Sequence, residues 1–119
     1  MTLAAQREAP ARARSALDGL NGALGEVRQP VRLLVSELVT NAVKHGSGAP
    51  SQTVQVRLDC SDQCVRVEVT DEGPGFDPGP RRRIDPLQDG FGLALVDQLT
   101  DRWGVEVDRG ACVWFEIDR

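Results

Sequence analysis

Val54-Gln55-Val56-Arg57-Leu58 and Val65-Arg66-Val67-Glu68-Val69-Thr70 alternate apolar and polar residues on either side of a short break, Ser61-Asp62-Gln63. Successive side chains of a strand point to opposite faces of its sheet, so each run offers one apolar face and one wet face. The spacing predicts a hairpin with a single buried face. The residues just upstream can cover that face. Val31, Leu34, Val35, Leu38, Ala42 and Val43 recur at the spacing of one helical stripe, and Pro30 suits the first turn of such a helix. Gly46-Ser47-Gly48-Ala49-Pro50 ends it, and the period changes from helical to alternating across this break.

Outward from this core, residues 8 to 20 are rich in Ala, Arg and Leu and read as an earlier helix, broken near Asp18-Gly19 and Asn21-Gly22. Downstream, Gly92 to Thr100 reads as a short helix with Leu93, Val96 and Leu99 inward. Gly104 to Asp108 and Cys112 to Ile117 read as a closing hairpin around Arg109-Gly110. Residues 71 to 90 crowd glycine and proline beside a basic run and are expected to form a long loop, which inside a small domain is usually functional or mobile. The sum predicts one α+β domain over residues 1 to 119: a two-layer sandwich, a mostly antiparallel sheet covered on one face by helices.

At 119 residues and 40% hydrophobic, the chain has one domain's length and enough apolar mass for a core. Lys plus Arg is 14 and Asp plus Glu is 18, a net charge of −4, which argues against nonspecific nucleic-acid binding. No run of about 18 apolar residues suggests a membrane span, and the charged start Met1 to Glu8 does not read as a secretory signal. Three cysteines, Cys60, Cys64 and Cys112, are an odd and sparse set that suits a reducing cytoplasm. Cys60-x-x-x-Cys64 is either half of a metal site or a pair flanking a hairpin turn; the chain's one histidine lies elsewhere.

Four polar features carry the chemistry. Glu37, Asn41 and His45 stand four residues apart on the second helix, with Lys44 beside them, off the apolar stripe. A carboxylate, a carboxamide, an amine and an imidazole can supply a base, a metal ligand and phosphate donors; the same stripe can also be a solvated polar face. Asp71-Glu72-Gly73-Pro74-Gly75-Phe76 follows the second strand of the hairpin. Its carboxylate can accept a hydrogen bond from an exocyclic amine while the glycines admit a flat base, or the segment can be a plain turn. Gly90-Phe91-Gly92-Leu93 opens a helix, where free N–H groups favour phosphate, or simply marks the helix boundary. Arg81-Arg82-Arg83 can close over phosphates, meet an acidic partner or stand in solvent.

In this order, a polar helix, Asp-x-Gly-x-Gly, a lid and Gly-x-Gly-Leu, the features resemble the ATP-binding domain of the GHKL superfamily of gyrases, histidine kinases and MutL proteins. The resemblance runs from about residue 8 to the C-terminus. Within the superfamily the chain is most similar to the RsbW-like anti-sigma-factor serine kinases, through Ser36 to His45, Leu93 to Asp97, Asp101 to Val105 and Val113 to Glu116. The 119 residues leave no room for the extra helices of a histidine kinase or the transducer domain of a gyrase.

The resemblance implies a Bergerat-type fold with ATP and Mg²⁺ held between helix and sheet. Asn41 would hold Mg²⁺ at the phosphates, and Asp71 would accept from the adenine amino group. Gly73 and Gly75 would admit the base, and the Gly90, Phe91, Gly92 and Leu93 turn would meet the phosphates. Lys44 would contact phosphate, and His45 would either do the same or cap the helix. Glu37 matches the general base that takes the proton of a serine hydroxyl. The implied activity is a cytoplasmic protein serine/threonine kinase acting on an anti-anti-sigma (STAS-domain) partner and sequestering a sigma factor, in a family where homodimers are usual. The alternative is a catalytically weak ATP-binding module that switches protein partners. Three departures bear on that choice: Phe91 stands where many relatives carry arginine, the lid is short, and the final hairpin, Gly110-Ala111-Cys112, lacks the threonine of several relatives; separately, the first strand is reduced to Thr2-Leu3-Ala4-Ala5.

Overall fold

A computed structural model describes residues 1–20, 22–45, 52–72, 93–107 and 111–119. Five strands form one sheet: β1 (Thr2–Ala4), β2 (Thr53–Cys60), β3 (Cys64–Glu72), β4 (Arg102–Val107) and β5 (Ala111–Asp118). Their order across the sheet is β1-β2-β3-β5-β4, and every neighbouring pair is antiparallel. Three helices, α1 (Ala9–Asp18), α2 (Arg28–His45) and α3 (Leu93–Leu99), lie along the chain between the strands. The expected α+β sandwich is the observed fold.

The alternation read in the sequence is the alternation of burial. Val54 and Val56 on β2, Val65, Val67 and Val69 on β3, and Phe115 and Ile117 on β5 are buried. Helix α2 packs on β2 and β3, α1 packs on β1 and α2, and α3 packs on α2 and β4. Ala9, Ala13 and Leu17 of α1, Val31, Leu34, Val35, Leu38 and Val39 of α2, and Leu93 and Val96 of α3 complete the core from the helix side. Apolar side chains such as these valines and leucines each contribute roughly 1.5–3 kcal/mol when fully removed from water, so the interlayer apolar mass, not the surface ion pairs, dominates the fold's stability.

The opposite face of the sheet carries no helix among the described residues and bears ion pairs within and across its strands. Arg66 bonds Glu68 at 3.0 Å and pairs with Glu116 at 3.6 Å, Arg102 reaches Glu116 at 3.0 Å and also bonds Asp118, and the Arg66 guanidinium sits 4.4 Å from the centroid of the Trp114 ring. Elsewhere on the surface, Asp18 at the close of α1 accepts from Arg28 and Arg32 of α2 at 3.2 and 3.1 Å, which holds its carboxyl below the usual carboxylate range.

Several boundaries differ from those read in the sequence. β3 continues through Asp71 and Glu72, two residues into the stretch expected to be loop, because Val54 and Thr53 stand opposite them and supply the ladder. β4 begins at Arg102 rather than Gly104, since Glu116 and Phe115 of β5 offer partners that early. The short first strand is present and pairs Thr2, Leu3 and Ala4 with Gln55, Val54 and Thr53. Cys60 and Cys64 flank the β2–β3 turn as free thiols, and the hydroxyl of Ser61 closes that turn by accepting from the Gln63 and Cys64 N–H groups at 3.3 and 3.1 Å. Among the described residues no group of three or more His, Cys, Asp or Glu could hold a metal ion, and no helix is long and apolar enough to cross a membrane.

Candidate functional site

Helix α2 and strand β3 bring two of the expected site residues to the same interlayer. Each four-residue step along an α-helix overshoots a full turn by about 40°. The Glu37, Asn41, His45 stripe therefore rotates along the helix, and Asn41 falls on the face of Leu34 and Leu38 rather than apart from it. Asn41 is buried at 6% exposure, Glu37 is half-buried and Lys44 is exposed. The solvated-face reading of the stripe does not hold for Asn41.

Among the described residues the buried Nδ2 of the Asn41 carboxamide has no hydrogen-bond partner, and the only other such side-chain atom is Nε of Arg28. An unpaired buried amide costs about 1–3 kcal/mol, so this group is set up for a partner that the described residues do not supply. A half rotation about the last side-chain bond exchanges the two ends of a carboxamide, so the orphaned end can offer either an N–H to a phosphate oxygen or a carbonyl oxygen to a cation. Mg²⁺ takes oxygen ligands, keeps several waters and is often bound through one or two protein groups plus substrate phosphates. One buried asparagine on the sheet-facing side of the helix fits that donor set.

Asp71 lies on the same side of the sheet. It continues the odd-numbered positions Val65, Val67 and Val69 of β3, which face the helices, and pairs with Val54 in the ladder. Its carboxylate is half-buried and accepts a hydrogen bond from Nε2 of Gln52 at 2.5 Å. Burial pushes the Asp71 carboxyl above the usual carboxylate range, and the Gln52 bond pulls the other way. A half-buried carboxylate at the end of a strand, fixed by a neutral donor, is a strong acceptor for an amine N–H. Leu93 opens α3 with its side chain buried at 2% in the same core.

The structure thus brings Asn41, Asp71 and Leu93 to the layer between helices and sheet, with Glu37 one turn before Asn41 and Lys44 near the end of the helix. Gly73, Gly75, Gly90, Phe91, Gly92, the Arg81–Arg83 run and the side chain of His45 lie outside the described residues. Gln52 is a site neighbour that no sequence motif marks. Its one signal is parity: it precedes Val54 and Val56 by even steps and so takes an inward position, where a polar side chain needs a partner.

An antiparallel sheet with helices on one face is the architecture expected of the GHKL class of ATP-binding domains. The chain belongs to the histidine kinase-like ATPase domain family, which it matches over residues 2–117. It is 32% identical to the serine-protein kinase RsbW of Bacillus licheniformis, over 71% of this chain and 61% of that protein. It is 31% identical to the anti-sigma F factor of Clostridium acetobutylicum, over 67% of this chain and 61% of that one. Among solved structures it resembles a blue-light activated histidine kinase of Erythrobacter litoralis, with a TM-score of 0.60, 28% identity, and coverage of 90% of this chain and 39% of that one. The matched region is about three-fifths of the two kinase and anti-sigma relatives.

Proposed function

We propose that this chain binds ATP with Mg²⁺ and transfers the γ-phosphoryl group to a serine of a partner protein, in the manner of an anti-sigma-factor kinase. The observation that carries the reading is the orphaned, buried amide of Asn41 on the helix that packs over the strand bearing Asp71. Its similarity to a serine-protein kinase and to an anti-sigma factor supports the class of activity. The partner chemistry follows the same lead: an anti-anti-sigma protein of the STAS type as phosphoacceptor, a sigma factor as a sequestered partner, a second copy of the chain as a dimer mate, and a cytoplasmic setting.

Each residue has a role in this reading. Asp71 accepts the amino group of the adenine. Asn41 holds Mg²⁺ against the phosphates, with Lys44 neutralising charge nearby. Gly73 and Gly75 admit the base, and Gly90, Phe91, Gly92 and the N–H of Leu93 meet the phosphate tail, with His45 at the helix end. When bound, Mg²⁺ supplies charge neutralisation to the transferring group. Glu37, half-buried one turn before Asn41, takes the proton of the serine hydroxyl as that oxygen bonds to the γ-phosphorus and the bond to ADP breaks.

Phe91, in the position where many relatives carry arginine, favours a second reading: a nucleotide-dependent interaction module with little transfer. A labelled-ATP transfer assay with a STAS-domain partner separates the two. The kinase reading expects label on the partner's serine, reduced about 10²–10⁴-fold in Glu37→Gln, with ATP affinity unchanged. Wild-type rates in Glu37→Gln would overturn the base assignment. Binding of ATP with no labelled partner moves the chain to the module reading, and absence of ATP binding sinks both.

A further inference from the structure

Gln52 and Asp71 make a short contact in the interlayer, and both ends of it are anchored by backbone. Asp71 is tied into the β2–β3 ladder opposite Val54, and the carbonyl of Gln52 accepts the Ala5 N–H at 3.0 Å, just past β1. Gln52 is 4% exposed and its Nε2 donates to Oδ1 of Asp71 at 2.5 Å. The two side chains sit on the helix-facing side, diagonally across the ladder. Neither can swing far without breaking sheet or packing.

A carboxylic acid in such a place has two personalities. Ionised, it is an acceptor only; protonated, it also donates. Partial burial alone favours the protonated form. A neutral amide that donates into the carboxylate opposes this and fixes the carboxyl plane. The contact therefore bears on which purine the acid accepts. An ionised acid welcomes an exocyclic amino group and repels a carbonyl at the same ring position, acceptor against acceptor. A protonated acid tolerates the carbonyl.

We infer that Gln52 is a positioning residue that holds Asp71 as a pure acceptor and thereby sets the preference of this site for a 6-amino over a 6-oxo purine nucleotide. The inference rests on the proposed placement of the adenine amino group at Asp71. ATP and ITP, which differ at that ring position, are the probes. A hydrogen bond to a charged acceptor lost on one side of the comparison is worth about tenfold or more in affinity.

The test is calorimetric titration of ATP and ITP, each with Mg²⁺, into wild type, Gln52→Met, Gln52→Glu and Asp71→Ala. Wild type is expected to prefer ATP by about tenfold or more. Gln52→Met keeps the side-chain length and removes the donor, and Gln52→Glu places a second acid where the donor stood. Both are expected to shrink the ATP:ITP ratio towards unity through weaker ATP binding, while ITP binding holds or improves. Should one of the two fail to fold, the other carries the comparison, and the wild-type ratio is a test by itself. Equal loss of both nucleotides, with the ratio kept, marks a merely structural role and overturns the inference. So does a wild type that binds ATP and ITP alike. Asp71→Ala separates the layers: ATP affinity unchanged in that variant defeats the placement of the base, whereas loss there beside an unaltered ratio in the Gln52 variants defeats only the role of Gln52.

Discussion

The indole of Trp114 fills the space above Gly104. The two residues stand opposite each other in the β4–β5 ladder, and a Cβ added at Gly104 would come within 2.7 Å of Nε1, 2.8 Å of Cε2 and 2.9 Å of Cζ2. The other support of the ring is the Arg66 guanidinium, 4.4 Å from its centroid. Gly104→Ala must push the indole aside and disturb that stack. Overpacking of this kind costs about 1–3 kcal/mol. The expected result is a lowered denaturant midpoint in Gly104→Ala, and a much smaller cost of the same substitution when it is made in a Trp114→Ala background. Additive losses in the double variant would show that the crowding is not what glycine relieves.

Asn41→Ala separates binding from folding. The amide it removes has a buried Nδ2 with no partner among the described residues, so deletion relieves a polar burial cost while leaving a small void on the face of Leu38. The two effects are of similar size and opposite sign, and the melting temperature of the nucleotide-free variant should stay close to that of wild type. Binding of ATP with Mg²⁺ should fall about tenfold or more, the worth of a ligand held through a polar contact to charge. Thermal melts and calorimetry on the same preparation check both halves.

Asp71→Asn should make the protein more stable and less able to bind ATP. Burial raises the folded carboxyl above its ordinary value of 3.8. Between the ordinary value and the folded value, the folded state binds more protons than the unfolded state, so stability falls as pH rises through that window, and the full cost of the charge remains at neutral pH. The substituted carboxamide carries no charge and keeps an oxygen for Gln52. Melting curves should place the variant above wild type at pH 7, with the gap closing as pH drops towards the ordinary carboxylate value. A gap that widens on acidification would contradict the assignment of burial as the dominant cause.

The layers are legible in the sequence because their signals are periodic. Two alternating valine runs mark β2 and β3, and the helical recurrence from Val31 to Val43 marks α2. The extra strand residues are not legible: Asp71-Glu72-Gly73-Pro74 is turn chemistry by composition, and only the presence of Thr53 and Val54 across the ladder makes its first two residues strand. Asn41 stands out as a polar position, but counting in fours sets it off the apolar face, because that count ignores the drift that carries the stripe into the core. Gln52 carries no motif at all; its role exists only through its diagonal neighbour on the next strand, a relationship that register creates and composition does not encode.

Magnesium should govern nucleotide stabilisation without governing the fold. In the proposed reading the cation enters with the nucleotide, so chelation of the nucleotide-free protein with EDTA should leave its melting temperature unchanged. With ATP present at about a hundredfold its Kd, ligand linkage adds about 2.7 kcal/mol, a rise of roughly 10 °C for a domain of this size. If Asn41 reaches the phosphates through the cation, most of that rise should vanish when EDTA is added to the ATP complex. Asn41→Ala with Mg²⁺ should then melt like wild type with EDTA, and EDTA should do little more to the variant. A wild-type protein whose ATP-induced rise survives chelation, or an Asn41→Ala variant that still loses a large rise on chelation, would place the cation away from this helix.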